Sequence, residues 1–381
     1  MDKKDSIRKK RRILLIGAVP PPLEGMAVSN ANFLFSKNIA SEYSLIHLNT
    51  RLNQSISNIS KISFWKTIKI AIIYIKFMLV LLFNNYNGIY MPVSGSTKGL
   101  LRDMPFVMLA SLLRKKIILH YHASYYADIL EHSGILKPII LRTLRIANAN
   151  IVQCQMLEEM LADFGIEKEK IHIVSNGVRD INKEKKKRQG GPFKVLFLSN
   201  LFRSKGFFDL LMSVDLVQES LKNEKIKRIV EFIFVGEFKS KIEKEEYHAV
   251  FNKIKHKSNI LLLGVLTGSD KDDILMNANV FVLPSYSEAQ PFSIMEAQCF
   301  GLPVIATDVG CIPEMVHDKI HGYIIEKCAP QQIADKIMNL LKDEHIYAQM
   351  CSAARQQYLE RFTYERYECQ MLDVLHRVIG H

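Results

Sequence analysis

The sequence lacks the cysteine spacings of a metal-binding or disulfide-rich protein. Its 381 residues include six cysteines, which form neither a Cys-x-x-Cys pair nor a zinc-finger spacing. Structural zinc sites and disulfide frameworks are recognised by such spacings. Neither is therefore expected, and the predicted location is a reducing, cytoplasmic compartment.

A long uninterrupted apolar run is also missing. After the basic N-terminus come only the apolar residues 13–16 before Gly17 and three prolines, which predicts a strand and a turn instead of a secretion signal. The most apolar stretch, 68–83, is interrupted by Lys69 and Lys76, so it is not predicted to span a membrane. Two interpretations of it remain open: a buried crossover helix, or a helix lying on a membrane surface with its lysines at head-group level.

Acidic residues are scarce in the first third of the chain. Residues 1–119 contain 18 lysines and arginines against 5 aspartates and glutamates. Residues 1–182 carry a net charge of +11, almost all of the +12 of the whole chain. This positive potential suits a nucleic acid, an anionic lipid surface or a phosphorylated acceptor as a partner.

The length and composition predict two globular domains. The chain is too long for one typical core, and 48% of its residues are hydrophobic. Strand-like and helix-like segments alternate in both halves, which predicts an α/β fold of two Rossmann-like parallel-sheet domains facing one another across a cleft. A lysine-rich run near 183–192 indicates the linker between a first domain at 1–182 and a second at 193–361.

One stretch, 284–307, combines a strand end, a loop, a helix and a second strand. Pro291 suits the first turn of the helix, and Gly301 suits the residue just past its end. Glu288 lies in the loop and Glu296 in the helix. The first N–H groups of a helix bind anions, and the two carboxylates can bind hydroxyl groups. The stretch therefore predicts a site for a phosphate flanked by polyols, such as a nucleotide sugar.

Two other strand ends carry polar side chains. Arg203 and Lys205 stand between a strand and a helix, where they suit phosphate binding; two solvated surface cations are the alternative. His120 and His122 end another strand and point to the same side of it, at the sheet edge where α/β proteins bind ligands. Ordinary packed histidines are the alternative there. No third ligand lies near by, so no metal site is predicted.

The pattern P-S-x-x-E-x7-E-A-x-x-x-G-x-P-V runs through this chain at Pro284, Ser285, Glu288, Glu296, Ala297, Gly301, Pro303 and Val304. Weaker motifs are the turn at 22–26 with Gly25, Tyr121-His122, Asn176-Gly177-Val178 and Lys205-Gly206. With these motifs the chain resembles glycosyltransferase family 4, the retaining nucleotide-sugar glycosyltransferases of the GT-B fold. The resemblance covers nearly the whole length.

The resemblance implies roles for both domains. The second would bind the donor, a nucleotide-diphosphate sugar with UDP as the expected nucleotide, and the first would bind the acceptor. Residues 362–381 would form a helix that packs back on the first domain. The sugar would be transferred with retention of configuration, with the donor phosphate taking the acceptor's proton. No metal or other cofactor is implied.

The resemblance also implies roles for single residues. Glu288 would hold the donor sugar and stabilise its cationic transition state, His122 would line the reacting pocket, and Glu296 would bind the ribose hydroxyls. His120 is a further pocket candidate. The other implied donor-binding residues are Gly25, Asn200, Arg203, Lys205, Gly236, Pro291, Phe292 and Ser293.

The chain departs from the family pattern in two places near the predicted site. The family usually reads E-G-F-G after the first glutamate, where this chain has Ala289-Gln290-Pro291-Phe292 after Glu288. An arginine usually stands five residues before the lysine of the K-G pair, where this chain has Asn200. Arg203 is the expected substitute for that arginine.

The sequence therefore predicts a retaining glycosyltransferase of cell-surface polysaccharide synthesis: lipopolysaccharide, capsule or exopolysaccharide. Its acceptor would be a glycan or a lipid-linked sugar, with peripheral contact between the basic first domain and the cytoplasmic face of an anionic membrane. No nucleic-acid partner is predicted, because no aromatic and basic residues interleave as in a recognition module. Two alternatives remain: a nucleotide-sugar epimerase of the same fold, and a non-catalytic basic binding protein.

Overall fold

A computed structural model describes residues 10–21, 24–51, 64–181, 191–238 and 240–380. The chain divides into two compact units. The first comprises Met1–Val174 and Tyr367–His381, and the second comprises Ser175–Arg366.

The first unit alternates strands and helices. Its strands are β1 (Arg11–Gly17), β2 (Tyr43–Asn49), β3 (Gly88–Val93), β4 (Lys116–Tyr121), β5 (Ala149–Val152) and β6 (Ile171–Ile173). Its helices are α1 (Gly25–Leu34), α2 (Lys37–Glu42), α3 (Phe64–Phe83), α4 (Thr97–Leu112), α5 (Tyr126–Glu131), α6 (Lys137–Arg145) and α7 (Gln155–Asp163).

These strands form a six-stranded sheet in the order β2-β1-β3-β4-β5-β6, and neighbouring strands run parallel. Leu14 of β1 pairs with Ile46 on one side and Ile89 on the other. All six residues of β3 and the last five of β1 are buried, as expected where helices cover both faces of a parallel sheet. The strand order reverses between β1 and β3.

The second unit repeats this architecture. Its strands are β7 (Phe193–Leu198), β8 (Val230–Val235), β9 (Ile260–Leu262), β10 (Val280–Leu283), β11 (Val304–Thr307) and β12 (Gly322–Ile325). Its helices are α8 (Phe207–Asn223), α9 (Lys241–Phe251), α10 (Gly268–Asn277), α11 (Phe292–Cys299), α12 (Ile312–Met315), α13 (Pro330–Lys342) and α14 (Glu344–Arg361). The last helix, α15 (Tyr364–Val378), begins in the second unit and continues into the first.

The second sheet has the order β12-β11-β10-β7-β8-β9, again parallel. The chain moves outward from β7 through β8 to β9, and then from β10 on the other side through β11 to β12. The order therefore reverses between β7 and β10. Loops at the carboxyl ends of two such strands diverge and leave a crevice, the usual ligand site of an open α/β sheet. The predicted fold class, α/β with two parallel-sheet units, is confirmed.

The unit boundary differs from the expected one. The structure divides the chain between Val174 and Ser175, whereas the sequence analysis placed the first domain at 1–182. The reason is that Val178 pairs with the residues before α15: its N–H donates to Phe362 O at 3.0 Å, and its carbonyl accepts from Tyr364 N at 3.0 Å. Most of the predicted linker, 183–192, lies outside the described residues.

Helix α3 has one packed face and one exposed apolar face. Phe77 and Leu81 are buried, and the Tyr74 hydroxyl donates to Arg102 O at 2.6 Å. Ile72 and Leu79 are each 44% exposed. In the described part of the chain, no helix has the length and apolar character needed to cross a membrane.

Candidate functional site

Two loops of the second unit meet where the strand order reverses. The loop after β7 ends at Gly206, and the loop after β10 begins at Pro284. The Tyr286 N–H donates to Ser204 O at 2.8 Å. Gly206 has φ of 70°, and a Cβ added there would lie 1.8 Å from Pro284 O. Only glycine allows this approach, which brings Lys205 beside the second loop.

Lys205 and Glu288 form an ion pair between these loops. The Lys205 ammonium donates to Glu288 Oε1 at 2.7 Å, and the Ser285 hydroxyl donates to the same oxygen at 2.9 Å. The Glu288 side chain is 9% exposed and that of Lys205 is 24% exposed. A carboxylate this buried needs such donors, because an unpaired buried charge is strongly unfavourable. Both residues were predicted from the sequence, and the structure brings them together.

The loop after β11 also holds the backbone of the Glu288 loop. Gly310 has φ of 56°, and a Cβ there would lie 1.9 Å from Glu288 O. The Cys311 N–H donates to Ala289 O at 2.9 Å, and the Thr307 hydroxyl donates to Ser285 O. The Glu288 side chain therefore projects from a fixed backbone, as a binding or catalytic group requires.

The unusual residues after Glu288 have a structural explanation. Gln290 is buried, and its Oε1 accepts from the backbone N–H of Asn176 at 2.7 Å. The Asn176 amide also donates to Gln290 O at 3.4 Å. Gln290 thus ties the site loop to the first residues of the second unit. Pro291 is the N-cap of α11, and Phe292 and Ser293 open that helix with no acidic residue in its first turn.

Glu296 is paired with a residue that the sequence analysis missed. It projects from α11, and the Lys271 ammonium of α10 donates to its Oε1 at 2.7 Å. The two side chains are 24% and 28% exposed, so the pair is open to a ligand. Lys271 stands among aspartates at a helix start, and a solvated surface lysine has the same sequence context. No sequence signal sets it apart.

Arg203 does not join the site cluster. Its guanidinium contacts Glu246 Oε2 at 3.3 Å and lies over the Phe208 ring, 5.5 Å from the centroid. Its side chain is 69% exposed. In this arrangement Arg203 therefore does not take the place of the arginine that the family usually has before its K-G pair.

For the remaining predicted donor-binding residues, the structure shows backbone contacts or open space. Asn200 lies half-buried in the loop after β7, and its carbonyl accepts from Phe202 N at 2.8 Å. Gly236 donates its N–H to Gly264 O at 2.8 Å and lies against Ser199 O, so it supports that loop. Gly25 is the first residue of α1 in the first unit and has open space around its Cα.

Tyr286 anchors the site loop to α8. Its hydroxyl donates to Asp209 Oδ2 at 2.9 Å. Burial raises the pKa of the Asp209 carboxyl, and the Tyr286 hydrogen bond opposes that change. Burial also raises the pKa of Tyr286, so the hydroxyl keeps its proton and remains a donor at neutral pH.

The two histidines belong to the first unit, at the end of β4. Their ring centroids lie 4.0 Å apart, on the same side of the strand. His120 is fully buried, and its Nδ1 contacts the Tyr90 hydroxyl. Burial lowers the pKa of His122 to about 3 and the pKa of His120 well below its usual value. Both imidazoles are therefore neutral at physiological pH.

The second-unit cluster has the chemistry of an anion and polyol site. Lys205 can exchange its bond to Glu288 for a bond to an anion, and α11 begins next to the same loop. The carboxylates of Glu288 and Glu296 can accept hydrogen bonds from hydroxyl groups. Within the described residues, no three His, Cys, Asp or Glu side chains come together as a metal site.

Two family models match adjoining parts of the chain. "Glycosyltransferase Family 4" matches residues 101–180, and "Glycosyl transferases group 1" matches residues 178–357. Together they match residues 101–357, part of the first unit and most of the second, including Lys205, Glu288 and Glu296.

Individual relatives are similar over shorter stretches. The capsular polysaccharide biosynthesis glycosyltransferase CapM of Staphylococcus aureus is 27% identical over 183 residues, 48% of this chain and 44% of CapM. The N,N'-diacetylbacillosaminyl-diphospho-undecaprenol alpha-1,3-N-acetylgalactosaminyltransferase of Campylobacter jejuni is 33% identical over 103 residues, 26% of this chain and 27% of that enzyme. The chain spans less than half of the length of the first curated relatives it matches.

Solved structures match over most of the chain. HepE of Anabaena, solved in complex with UDP-glucose, superposes with a TM-score of 0.69 at 17% identity, covering 96% of this chain and 100% of HepE. Such a likeness shows a shared fold, and the two parallel-sheet units define a GT-B protein. With the two family models, the chain belongs to the group 1 and family 4 glycosyltransferases.

Proposed function

We propose that this protein is a retaining glycosyltransferase that moves a sugar from a nucleotide-diphosphate sugar to a glycan or lipid-linked acceptor. The observation that carries the proposal is the Lys205–Glu288 pair, held by Ser285 where the strand order of the second sheet reverses. A cation and a carboxylate side by side match the two parts of the donor, its diphosphate and its sugar.

The donor would change the partners of this pair. Lys205 would donate to a phosphate oxygen, and the first turn of α11 would add backbone donors and a favourable dipole. The Glu288 carboxylate, released from Lys205, would accept hydrogen bonds from sugar hydroxyls. It would also stabilise the positive charge that develops on the sugar ring as the bond to the diphosphate breaks.

The proposed transfer keeps the configuration of the anomeric carbon, as the family resemblance implies. The bond between the anomeric carbon and the phosphate oxygen breaks, and its electron pair leaves with the diphosphate. The acceptor hydroxyl oxygen bonds to the same face of the anomeric carbon, and its proton passes to the departing phosphate oxygen. Lys205 lowers the cost of the charge on the leaving group, so the residues supply the stabilisation that the step needs.

The nucleotide would be held by Glu296 and Lys271. Glu296 would accept from the ribose hydroxyls, and Lys271 would fix the direction of its carboxylate. We propose UDP as the nucleotide because HepE, a protein of the same fold, was solved with UDP-glucose. The reaction as proposed uses no metal and no other cofactor.

The acceptor side belongs to the first unit in this proposal. His122 would offer its imidazole to a substrate hydroxyl, and the basic charge of residues 1–119 would favour a phosphorylated or membrane-bound acceptor. The name of the Campylobacter relative includes a diphospho-undecaprenol sugar, and CapM is named for capsule synthesis. We therefore propose cell-surface polysaccharide synthesis at the cytoplasmic face of the membrane, with no nucleic-acid partner.

The test combines binding with turnover. A thermal-shift panel of nucleoside diphosphates and nucleotide sugars should show stabilisation by uridine compounds above the other bases, since a ligand that binds only the folded state raises its stability. Absence of stabilisation by every compound in the panel would refute the proposal.

The role of Glu288 is tested with the donor found in that panel. The Glu288→Gln variant should lower kcat about 100-fold or more, because the amide lacks the charge that opposes the transition-state cation. Its nucleotide affinity should change little. The matched control is Glu246→Gln, an exposed glutamate outside the cluster. Retained turnover with a large loss of nucleotide binding would contradict the role.

A further inference from the structure

A chain of polar contacts lies behind His122 in the first unit. The Tyr90 hydroxyl contacts His120 Nδ1, and the amide nitrogen of Gln153 contacts His120 Nε2 at 2.9 Å. The same amide nitrogen lies 3.4 Å from His122 Nδ1. Tyr90, His120 and Gln153 are buried, so none of these groups exchanges its partner for bulk water.

The orientation of the Gln153 amide is set by a backbone carbonyl. The Gln153 amide nitrogen also donates to Tyr121 O. A carbonyl oxygen can only accept, so the group that faces it must be the NH₂ and cannot be the amide oxygen. The two imidazole nitrogens near this NH₂ therefore face a donor.

This fixes the proton on each ring. His120 Nε2 must accept from Gln153, so the His120 proton is on Nδ1, where the Tyr90 oxygen accepts it. The two hydrogens of the NH₂ are used by Tyr121 O and His120 Nε2, and an amide NH₂ does not accept hydrogen bonds. A proton on His122 Nδ1 would point at this NH₂ from 3.4 Å, so Nδ1 carries the lone pair. The single proton of a neutral His122 is then on Nε2.

The surroundings of His122 also keep it in this state. Its backbone N–H donates to the Tyr126 hydroxyl at 3.3 Å, which holds the backbone at the strand end. Burial opposes protonation of both rings, and the neighbouring His122 adds to this effect at His120. His122 Nε2 is buried and has no hydrogen-bond partner among the described residues. A buried donor without a partner is unfavourable, and a ligand oxygen would satisfy it.

We propose that Gln153, supported by His120 and Tyr90, is a positioning residue that holds the proton of His122 on Nε2 and so presents this N–H to an oxygen of the substrate. The inference rests on the proposed function for the identity of the substrate. His120, chosen from sequence as a pocket candidate, acts through Gln153 and does not touch the substrate.

The first measurement is made without substrate. Ring nitrogen NMR of protein labelled with ¹⁵N-histidine, with signals assigned by a His122→Gln variant, should show the His122 proton on Nε2. In Gln153→Glu the carboxylate can only accept hydrogen bonds from the histidine rings. The His122 proton should therefore move to Nδ1. In Gln153→Met the side chain favours a proton on neither ring nitrogen of His122. A mixture of His122 rings protonated on Nδ1 and on Nε2 is expected.

The second measurement is turnover. Both Gln153 variants should lower kcat/KM about tenfold, the loss of roughly one hydrogen bond to the substrate. The control is Gln155→Met, an exposed glutamine on α7 that contacts Glu159. If the Gln153 variants do not fold, Tyr90→Phe keeps the ring stacked on Phe33 and should still alter the His120 ring signals.

The outcomes separate the two proposals. A wild-type His122 with its proton on Nδ1, an unchanged proton position in Gln153→Glu, or unchanged kcat/KM in Gln153→Met would each overturn the positioning role. The NMR result does not depend on turnover. If no nucleotide sugar binds or reacts, the proposed function fails while the proton position is still measured.

Discussion

Arg203 and Lys205 stand two residues apart and make different ion pairs. Lys205 donates to the nearly buried carboxylate of Glu288, whereas the exposed Arg203 contacts Glu246. The turn that ends at Gly206 separates the two directions. From the sequence, either cation could bind a phosphate. Only the folded structure shows that the two side chains have different partners.

This difference predicts unequal effects on donor binding. Lys205→Met should weaken UDP binding by about 1.5–3 kcal/mol, the value of one hydrogen bond to a charged group. Arg203→Met, the matched control, should change it by less than about 0.5 kcal/mol, since exposed ion pairs contribute little. Isothermal titration calorimetry with UDP measures both. Equal effects of the two variants would disprove the assignment.

Lys271 is predicted to act on ribose recognition through Glu296. Lys271→Met frees the carboxylate to rotate, so the preference for UDP over 2′-deoxy-UDP should fall by about 0.5–1.5 kcal/mol. The control is Lys241→Met, whose lysine pairs with Glu245 on the exposed side of α9. Competition binding of the two nucleotides gives the preference directly. An unaltered preference in Lys271→Met would show that Glu296 does not need this partner.

Single site residues can be predicted from the sequence when they stand at a characteristic spacing. Residues that reach the site from a distant part of the chain cannot. Glu288 and Glu296 stand at a fixed interval within one stretch, and Lys205 precedes a glycine that the loop contact requires. Lys271 reaches Glu296 from another helix, 25 positions away in the chain. Gln290 looks like a departure from a motif, and its hydrogen bond to Asn176 gives it a structural role.

Helix α3 has one packed face and one exposed apolar face. Phe77 and Leu81 pack inward, as in the crossover-helix interpretation, while Ile72 and Leu79 remain exposed, as in the membrane-surface interpretation. Lys69 and Lys76 are exposed on the same helix. The packed face fits the crossover-helix interpretation, and contact of the exposed face with a membrane stays a prediction.

Replacing both Ile72 and Leu79 with serine tests the exposed face. If it enters an anionic bilayer, the change should lower partitioning onto phosphatidylglycerol vesicles about tenfold or more, because two partly buried apolar side chains are lost. Flotation measures the partitioning, and Ile242→Ser, an exposed isoleucine on α9, is the control. Unaltered flotation by the double variant would exclude this face as the contact.

Element boundaries depend on contacts that the local sequence does not contain. Two short helices, α1 and α2, lie between β1 and β2. Ser36 caps α2 by accepting from Ile39 N at 3.0 Å, and its hydroxyl donates to Glu368, more than 300 residues away in the chain. The long-range partner fixes Ser36 as a cap, and no periodicity indicates it.

For the whole molecule, the alternation of strands and helices was enough to predict two parallel sheets. The order of strands was not predicted, because it depends on which side of the sheet each crossover takes. The boundary between the units differs from the expected one for a related reason. The lysine-rich run is a conspicuous change of composition, whereas the contacts of Val178 with Phe362 and Tyr364 are visible only after folding.

Buried neutral histidines predict a loss of stability in mild acid. Burial lowers the pKa of His321 to about 4 in the folded protein, with His317 and Arg361 acting in the same direction and Glu360 against it. An unfolded histidine titrates near 6.5. Between these values the unfolded chain binds more protons, so stability is complete above about pH 6.5 and falls as the pH drops towards 4.

Thermal unfolding between pH 7.5 and 5 checks this prediction. The Tm should fall with pH in the wild type, and less steeply in His321→Gln, whose amide does not titrate. His345→Gln, with an exposed histidine, is the control and should follow the wild type. Parallel curves for His321→Gln and the wild type would contradict the prediction.

The place of residues 175–181 in the second unit determines how the chain can be trimmed. A recombinant fragment starting at Phe193 would leave Gln290 without the Asn176 backbone, and Phe362 and Tyr364 without their hydrogen bonds to Val178. It would also lose the 2.8 Å pair between Asp180 and Arg355 of α14. A fragment of Ser175–Arg366 keeps all three. Isotope labelling or crystallisation of the half that holds Lys205 and Glu288 should therefore begin at Ser175.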